Sequence, residues 1–570
     1  MLVGAIVFAQ PPASYAGMNN EAQQEDAADM PGLMTDGTTG SYLSSQFARA
    51  SGDIDGAIRY LRRVYKQEPD NSIVANQLLG ALLIAGETQE ATVIADRLRA
   101  DEVNDPVVLL LKILREVKAG RRDAAIKLLD DAFETGANGQ LWMPLIAAWL
   151  DTGPEDPMTI EQLSGNVGRM RPLLFYHLAL INDFHGFTDA ATANFKEAIE
   201  DPKNPPKRVM EGLLQFYDHH NAPSTLAPIV DAYVDAHSDE AVHPESVTIA
   251  SVEDGITEVL FSMGSVMRTA GMTQDAVIYL QLALYLKKDL HEVAAILGDA
   301  YSDVHMYEAA NRAYATVPAD NLHFARAQMR LAVNLDRMGK TSAALSVLDK
   351  LAKRFPDNMD AIIAKADLLR MRGRYPDAVA AYTQALNRFK SMEADQWAIF
   401  YARAACLERQ GKWRAAEQDL LKALELNPDQ PDVLNYVGYS WLVRGEKMQE
   451  ATDMIGRALK ARPNDAQILD SMGWALYLQG EYAQAAGYLE KAIQLIPSDA
   501  VVNDHLGDAY WRDGRKTEAR YQWERSQSFS PDKPLAAALN KKLKEGLPSL
   551  NPMSTKAPVV DAGDDTTPVP

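Results

Sequence analysis

Residues 466–533 read AQILDSMGWALYLQGEYAQAAGYLEKAIQLIPSD (466–499) and then AVVNDHLGDAYWRDGRKTEARYQWERSQSFSPDK (500–533), two strings of 34 residues with one layout. In the first string Leu469, Met472, Gly473 and Leu476 fall at i, i+3, i+4 and i+7, one face of a helix. Gly480 ends that helix, because glycine accepts the left-handed backbone of a tight interhelical turn. Tyr482, Ala485, Leu489, Ala492 and Ile496 form the inner face of a second helix, which Pro497 stops. Gly473, Ala485 and Ala492 are small where the two helix axes must approach closely.

The same layout extends upstream. Gly438, Gly473 and Gly507 are spaced by 35 and 34 residues, Ala451, Ala485 and Ala519 by 34, and Pro428, Pro463, Pro497 and Pro531 by 35, 34 and 34. Traced backwards, the turn position falls on Gly480, Gly445, Gly411, Gly373, Gly339, His305 and Gly271. The step from Gly373 to Gly411 is 38, with its excess near Glu393–Gln396, and an extra residue lies between Gly445 and Ala451. A second run carries Gly52, Gly86 and Gly120, each followed five residues later by Ala57, Ala91 or Ala125. Gly153 and Gly186 continue it, but Pro154 and Pro157 crowd the turn at Gly153 and that unit reads as degenerate. From Gly186 to Gly271 is 85 residues, two and a half units, so the phase is lost within 208–256, where a loop is expected around His237–Ser251.

The unit at 500–533, with Leu506-Gly507, Tyr510, Gly514, Ala519, Trp523 and Pro531, resembles the tetratricopeptide repeat (TPR) consensus. The resemblance implies an all-α, right-handed superhelical solenoid of antiparallel helix pairs, with two arrays joined by an irregular helical segment. The expected arrays are 38–207 and 257–533, the connector is 208–256, and an amphipathic helix within 534–547, Leu535 to Leu543, caps the end. Residues 17–37, acidic and polar, and 548–570, proline-rich with few large apolar side chains, are expected to be disordered.

With 57 Lys+Arg against 78 Asp+Glu, the net charge of −21 argues against nucleic acid and against a polybasic grip on anionic lipid. Cys406 is the only cysteine, so neither an intramolecular disulfide nor a thiolate metal cluster can form. Leu2–Ala9 is an apolar run too short to span a bilayer. Ser14 and Ala16 follow it and suit a signal-peptidase cut before Gly17, which predicts a signal peptide at 1–16 and an exported, soluble, periplasmic protein. No Lys or Arg precedes Arg49, so a basic leader region is missing and a cytoplasmic alternative stays open. The chain as given has no transmembrane segment, and no cysteine follows the apolar run to take a lipid anchor.

Signatures of chemistry fail on inspection. Gly339-Lys340-Thr341 resembles the end of a phosphate-binding loop, but Asn334 stands where the first glycine is required. His291-Glu292 begins a zinc-protease-like string in which Ala295 replaces the second histidine. Adjacent His219 and His220 point in different directions on a helix and cannot easily share a metal. No Gly-x-Ser-x-Gly elbow is present. The expectation is no catalytic residue, no metal and no cofactor.

In TPR proteins the first helix of each unit lines the concave groove, and the resemblance implies that Asn435 and Tyr439, then Asp470, Trp474 and Tyr477, then Asp504, Asp508 and Trp511 face it. Each set is one helical stripe about 100° from the buried face. Two readings stand at this point: the aromatics form a peptide-binding surface, or Trp474 and Trp511 pack between neighbouring repeats. Carboxylates at Asp470, Asp504 and Asp508 disfavour a clamp for C-terminal carboxylates and favour basic or apolar segments of protein or peptide partners. The run 431–533 is further similar to the C-terminal repeats of envelope TPR proteins of Gram-negative bacteria, through Asn435-Tyr436-Val437-Gly438-Tyr439, Leu469-Asp470-Ser471-Met472-Gly473-Trp474 and Asp504-His505-Leu506-Gly507-Asp508. This implies a non-enzymatic scaffold or adaptor supporting envelope integrity or envelope protein turnover. The alternatives are a cytoplasmic scaffold and a non-catalytic activator of a partner enzyme.

Overall fold

The computed structural model describes residues 37–548, except 99–105, 135–141, 152, 154, 164–169, 202–204, 221–224 and 237–246. The expected signal peptide, most of the acidic linker, nearly all of the C-terminal tail and most of the His237–Ser251 loop lie outside these residues. Among the described residues there are 29 α-helices and no strand. The chain divides into two compact units, 1–347 and 348–570. Each is built from helix hairpins stacked in chain order.

The hairpin of 466–499 explains why. Asp465 caps the helix Ala466–Leu478 by accepting from the Gln467 and Ile468 N–H groups at 3.0 and 3.2 Å. Gly480 then turns at φ +86°, and the Glu481 N–H closes back on the Leu476 carbonyl at 2.9 Å. The partner helix Tyr482–Leu495 returns along the first. A Cβ at Gly473 would lie 2.6 Å from the Leu489 side chain and 3.2 Å from the Ala485 carbonyl oxygen, so only glycine permits this approach. The alanine that follows each regular turn, from Ala57, Ala91 and Ala125 through Ala276 to Ala451, Ala485 and Ala519, is fully buried.

The turn positions traced in the sequence all have positive φ, and His305 adopts the same backbone at +63°. The longer step after Gly373 is taken up by a 3-10 turn at Ala394–Gln396, and the extra residue after Gly445 by Lys447 at φ +43°. In the degenerate unit the helix Trp142–Leu150 is followed by a helix of only four residues, Ile160–Leu163. Where the phase is lost, the first unit continues with Lys207–His219, Ala227–Ala236 and Val252–Thr269, the last capped by Ser251. The last helix among the described residues of the second unit, Lys533–Glu545, is seated by a fully buried Leu539.

Candidate protein-binding site

The first helices of three successive hairpins, Pro431–Arg444, Ala466–Leu478 and Ala500–Arg512, carry all eight residues singled out in the sequence. The structure brings them together, and most are covered. Tyr439 is 9% exposed, Trp474 7% and Asp508 5%; Asp470, Tyr477 and Asp504 are equally buried, while Asn435 and Trp511 are partly so. The Trp474 ring lies between Tyr477 at 4.7 Å and His505 at 4.2 Å, stacked on both. The Trp511 ring sits 5.2 Å from Trp523, and Gly546, just past the terminal helix, passes directly over it. Much of the aromatic area on this stripe is therefore packed within the second unit.

The carboxylates have partners. His505 Nδ1 pairs with Asp470 Oδ1 at 2.9 Å. Lys542, on the terminal helix, donates to Asp504 at 2.7 and 2.8 Å and to Asp508 at 2.8 Å. Trp523 Nε1 donates to the other Asp508 oxygen at 2.9 Å. Burial, and then the neighbouring Asp504, push the Asp508 carboxyl up to about 6. Burial opposes the charge on His505, but Asp470 outweighs it and the imidazole is raised. Lys542 is raised in the same way by Asp508 and Asp504.

One part of the stripe stays open. A cleft runs along the first-helix face from Tyr401 to Val502, and Asn435, Tyr439 and Asp470 line it. The Asn435 amide oxygen is buried and has no hydrogen-bond partner among the described residues. The Tyr439 hydroxyl likewise has none; burial, then Asp470, Asp499 and Asp504, raise it and keep it protonated. Asp465 and Asp499 enter the rim because they cap the helices whose stripes form the wall.

Reasoning from sequence did not find Lys542, His505 or the rim aspartates. A signal existed for each. Lys542 follows Leu535 and Leu539 at i+7 and i+3, on the face that docks. His505 adjoins Asp504 in the first helix, and Asp465 and Asp499 each stand two residues after a repeat proline. Residues of two of the motifs weighed for chemistry make local contacts. Asn334 donates to Ser302 at 2.7 Å, Thr341 donates to Asp336 at 2.7 Å, and His220 pairs with Asp183 at 2.6 Å. Among the described residues no three His, Cys, Asp or Glu side chains converge as a metal site, and no helix is long and apolar enough to cross a membrane.

Family models described as tetratricopeptide repeat match residues 48–112, residues 329–392, 363–431 and 401–453, and residues 466–499. No curated protein matches the chain. Among solved structures, a tetratricopeptide repeat protein from Parabacteroides merdae is 18% identical over 45% of this chain and 97% of its own, with a TM-score of 0.35. The APC/C hetero-tetramer Cut9-Hcn1 is 16% identical over 90% of this chain and 96% of that one, with a TM-score of 0.36. YrrB, described as a TPR protein with an unusual peptide-binding site, is 20% identical over 34% of this chain and 97% of its own, with a TM-score of 0.28.

Proposed function

We propose, from the premise that this chain is a tetratricopeptide repeat protein, that it is a scaffold holding protein partners on the first-helix face of its C-terminal repeats and performing no reaction itself. The repeats support the protein-binding role. The observation that carries the site is the cleft lined by successive first helices, in which Asn435 and Tyr439 keep unpartnered polar atoms. Trp474, Tyr477, Trp511, Asp504 and Asp508 act in this reading as its packed foundation, and Asn435, Tyr439 and Asp470 as the contact residues. Acidic lining favours basic or apolar segments, and charge on the rim sets the rate of encounter and its salt dependence.

The place of action in this reading is the periplasm, in support of envelope integrity or envelope protein turnover. The apolar run Leu2–Ala9, the small pair Ser14 and Ala16, and the strings shared with envelope repeat proteins support it. Two measurements test the whole. N-terminal sequencing of the mature protein should begin at Gly17; a chain beginning at Met1 favours the cytoplasmic scaffold. Photo-crosslinking from Gln467, on the cleft, should capture a defined partner from envelope fractions. Capture that occurs only from sites on 38–207 moves the binding surface to the N-terminal array, and capture from neither array ends the scaffold reading.

A further inference from the structure

We propose that the cleft on the first-helix face of the second unit is a pocket for one cationic side chain, an arginine or lysine, presented by an extended segment of a protein partner. This rests on the scaffold reading and adds the chemistry of its anchor. Four carboxylates line the cleft, those of Asp432, Asp465, Asp470 and Asp499, and no Lys, Arg or His does. Two cations balance them in part: the solvent-exposed Arg462 pairs with Asp432 at 2.8 Å and approaches Asp465 at 3.8 Å, and the buried His505 pairs with one oxygen of Asp470. The local field therefore draws positive charge in and repels an acidic segment.

The neutral groups point the same way. The buried Asn435 amide oxygen can only accept, and it stands unpartnered in the wall. The Tyr439 side chain is nine-tenths buried, faces Asp470, Asp499 and Asp504, and its hydroxyl has no partner among the described residues. An ammonium or guanidinium supplies several N–H donors at once and so satisfies both. The rings of Tyr401 and Tyr436, 5.6 Å apart and set edge to face, offer electron-rich surface to the same charge. An apolar side chain would leave both polar atoms unpaired. A metal ion lacks a ligand set, because Asp465 and Asp499 are committed to helix caps and Asp432 to Arg462.

The test uses the full chain and a series of peptides in a neutral Ala/Ser host whose central residue is Arg, Lys, citrulline, norleucine or Glu. The Arg and Lys peptides are expected to bind roughly tenfold or more tightly than citrulline or norleucine, to weaken with salt, and the Glu peptide not to bind. Asn435→Leu and Tyr439→Phe, checked for an unchanged thermal transition, should each remove most of that preference. Tyr439→Phe deletes one oxygen and keeps the ring, so it separates recognition from folding. Equal binding of Arg and norleucine peptides overturns the pocket, as does a preference that survives both variants. Either result leaves the scaffold reading to the Gln467 capture, whose own failure would be seen separately.

Discussion

Arg208 in the first unit and Lys542 in the second hold comparable places. Each belongs to a helix outside the 34-residue phase, and each reaches into the carboxylates of helices that keep to it. Arg208 donates to Glu258 at 2.9 and 2.6 Å, to Glu211 at 3.0 Å and to Glu292 at 2.8 Å, so one guanidinium ties three helices. Tyr176 adds a hydroxyl bond to Glu258 at 2.9 Å, and the guanidinium lies 4.4 Å over the Phe261 ring. Burial alone would raise Glu258, but Arg208 outweighs it and the carboxylate stays charged. Lys542 offers a single ammonium to two aspartates at the end of the array. The difference is one of geometry. An interruption inside a unit has neighbours on both sides and needs a rigid fork, whereas a terminal helix needs only a point charge. In the regular repeats glycine and alanine set the crossing, and charge pairs of this kind are added to it singly, as where Arg403 holds the buried Asp419 at 2.7 and 2.6 Å and Arg326 holds the buried Asp299 at 2.9 Å.

The comparison is broken most directly at Arg208. Arg208→Met leaves Glu258 and Glu211 buried without their cation and should destabilise the first unit by about 3–5 kcal/mol. Hydrogen exchange should show the loss within 171–303 and spare the repeats of 431–533, because stability in a repeat stack is nearest-neighbour. Uniform loss over the chain would mean that the guanidinium is not a local tie. Adding Glu258→Gln should recover part of the loss.

Lys542→Met should cost less, about 2–3 kcal/mol, because one ammonium serves two aspartates and Asp508 can take up a proton. The terminal helix should fray, uncovering Trp511, so tryptophan emission should shift to the red with little change in helicity upstream. The defect should be milder at pH 5 than at pH 8. An equal defect at both values would remove Asp508 from the explanation.

These two residues also mark where the sequence stops being readable. The turns, the small residues at the crossings and the identity of the first helices follow from period and phase, because the same steric demand recurs in every unit. Glycine at 473 and alanine at 485 answer one close approach, and a reader needs only the spacing. Arg208 answers a demand made once, where the phase has lapsed, so no repetition exposes it. The aspartate stripe of Asp470, Asp504 and Asp508 was legible as a stripe, but its partners were not. Lys542 comes from a helix that the repeat pattern does not define, and its inward direction depends on how Leu539 seats that helix. Hence the candidate residues were found together while the covering of Trp474 and Trp511 was left open by the sequence.

The two regions should respond oppositely to pH. His177, in the first unit, is fully buried with both ring nitrogens unpartnered, and burial, against an upward pull from Glu258 and with the help of Arg208, holds it at about 4. Its folded value lies below its unfolded one, so the unfolded chain binds the proton first and stability is lost as pH falls from about 6.5 toward 4. That loss should reach about 2 kcal/mol at pH 5. His505 and Asp508, in the second unit, are raised, the aspartate to about 6. The folded state there binds protons more tightly, so stability is present at low pH and declines as pH rises through about 6, with Asp470, Asp504 and Lys542 as the facing charges. Hydrogen exchange at pH 5 and 8, corrected for intrinsic rates, should show the first unit weaker at pH 5 and the last repeats weaker at pH 8. His177→Leu and His505→Gln should flatten the respective slopes. Slopes of one sign would mean that the two histidines are not the dominant titrating groups.

The smallest effect concerns the one regular turn that lacks glycine. His305 occupies at φ +63° the position that glycine holds in neighbouring hairpins, and its Nδ1 lies 2.9 Å from the Tyr307 hydroxyl at an exposed site. A side chain in this backbone costs roughly 1–2 kcal/mol. Glycine removes that strain but adds about 0.5–1 kcal/mol of unfolded-state freedom, and the exposed hydrogen bond is worth little. His305→Gly should therefore stabilise the hairpin of His291–Asp303 and Tyr307–Ala315 by only about 0.5 kcal/mol. The reciprocal Gly480→His should destabilise the second unit by a similar amount, since Tyr482 stands two residues on, as Tyr307 does from His305, and the backbone cost is the same. Denaturant midpoints for the pair measure both signs at once. If both substitutions destabilise, His305 contributes more through Tyr307 than its backbone costs, and that turn is set by a local contact and not by the repeat.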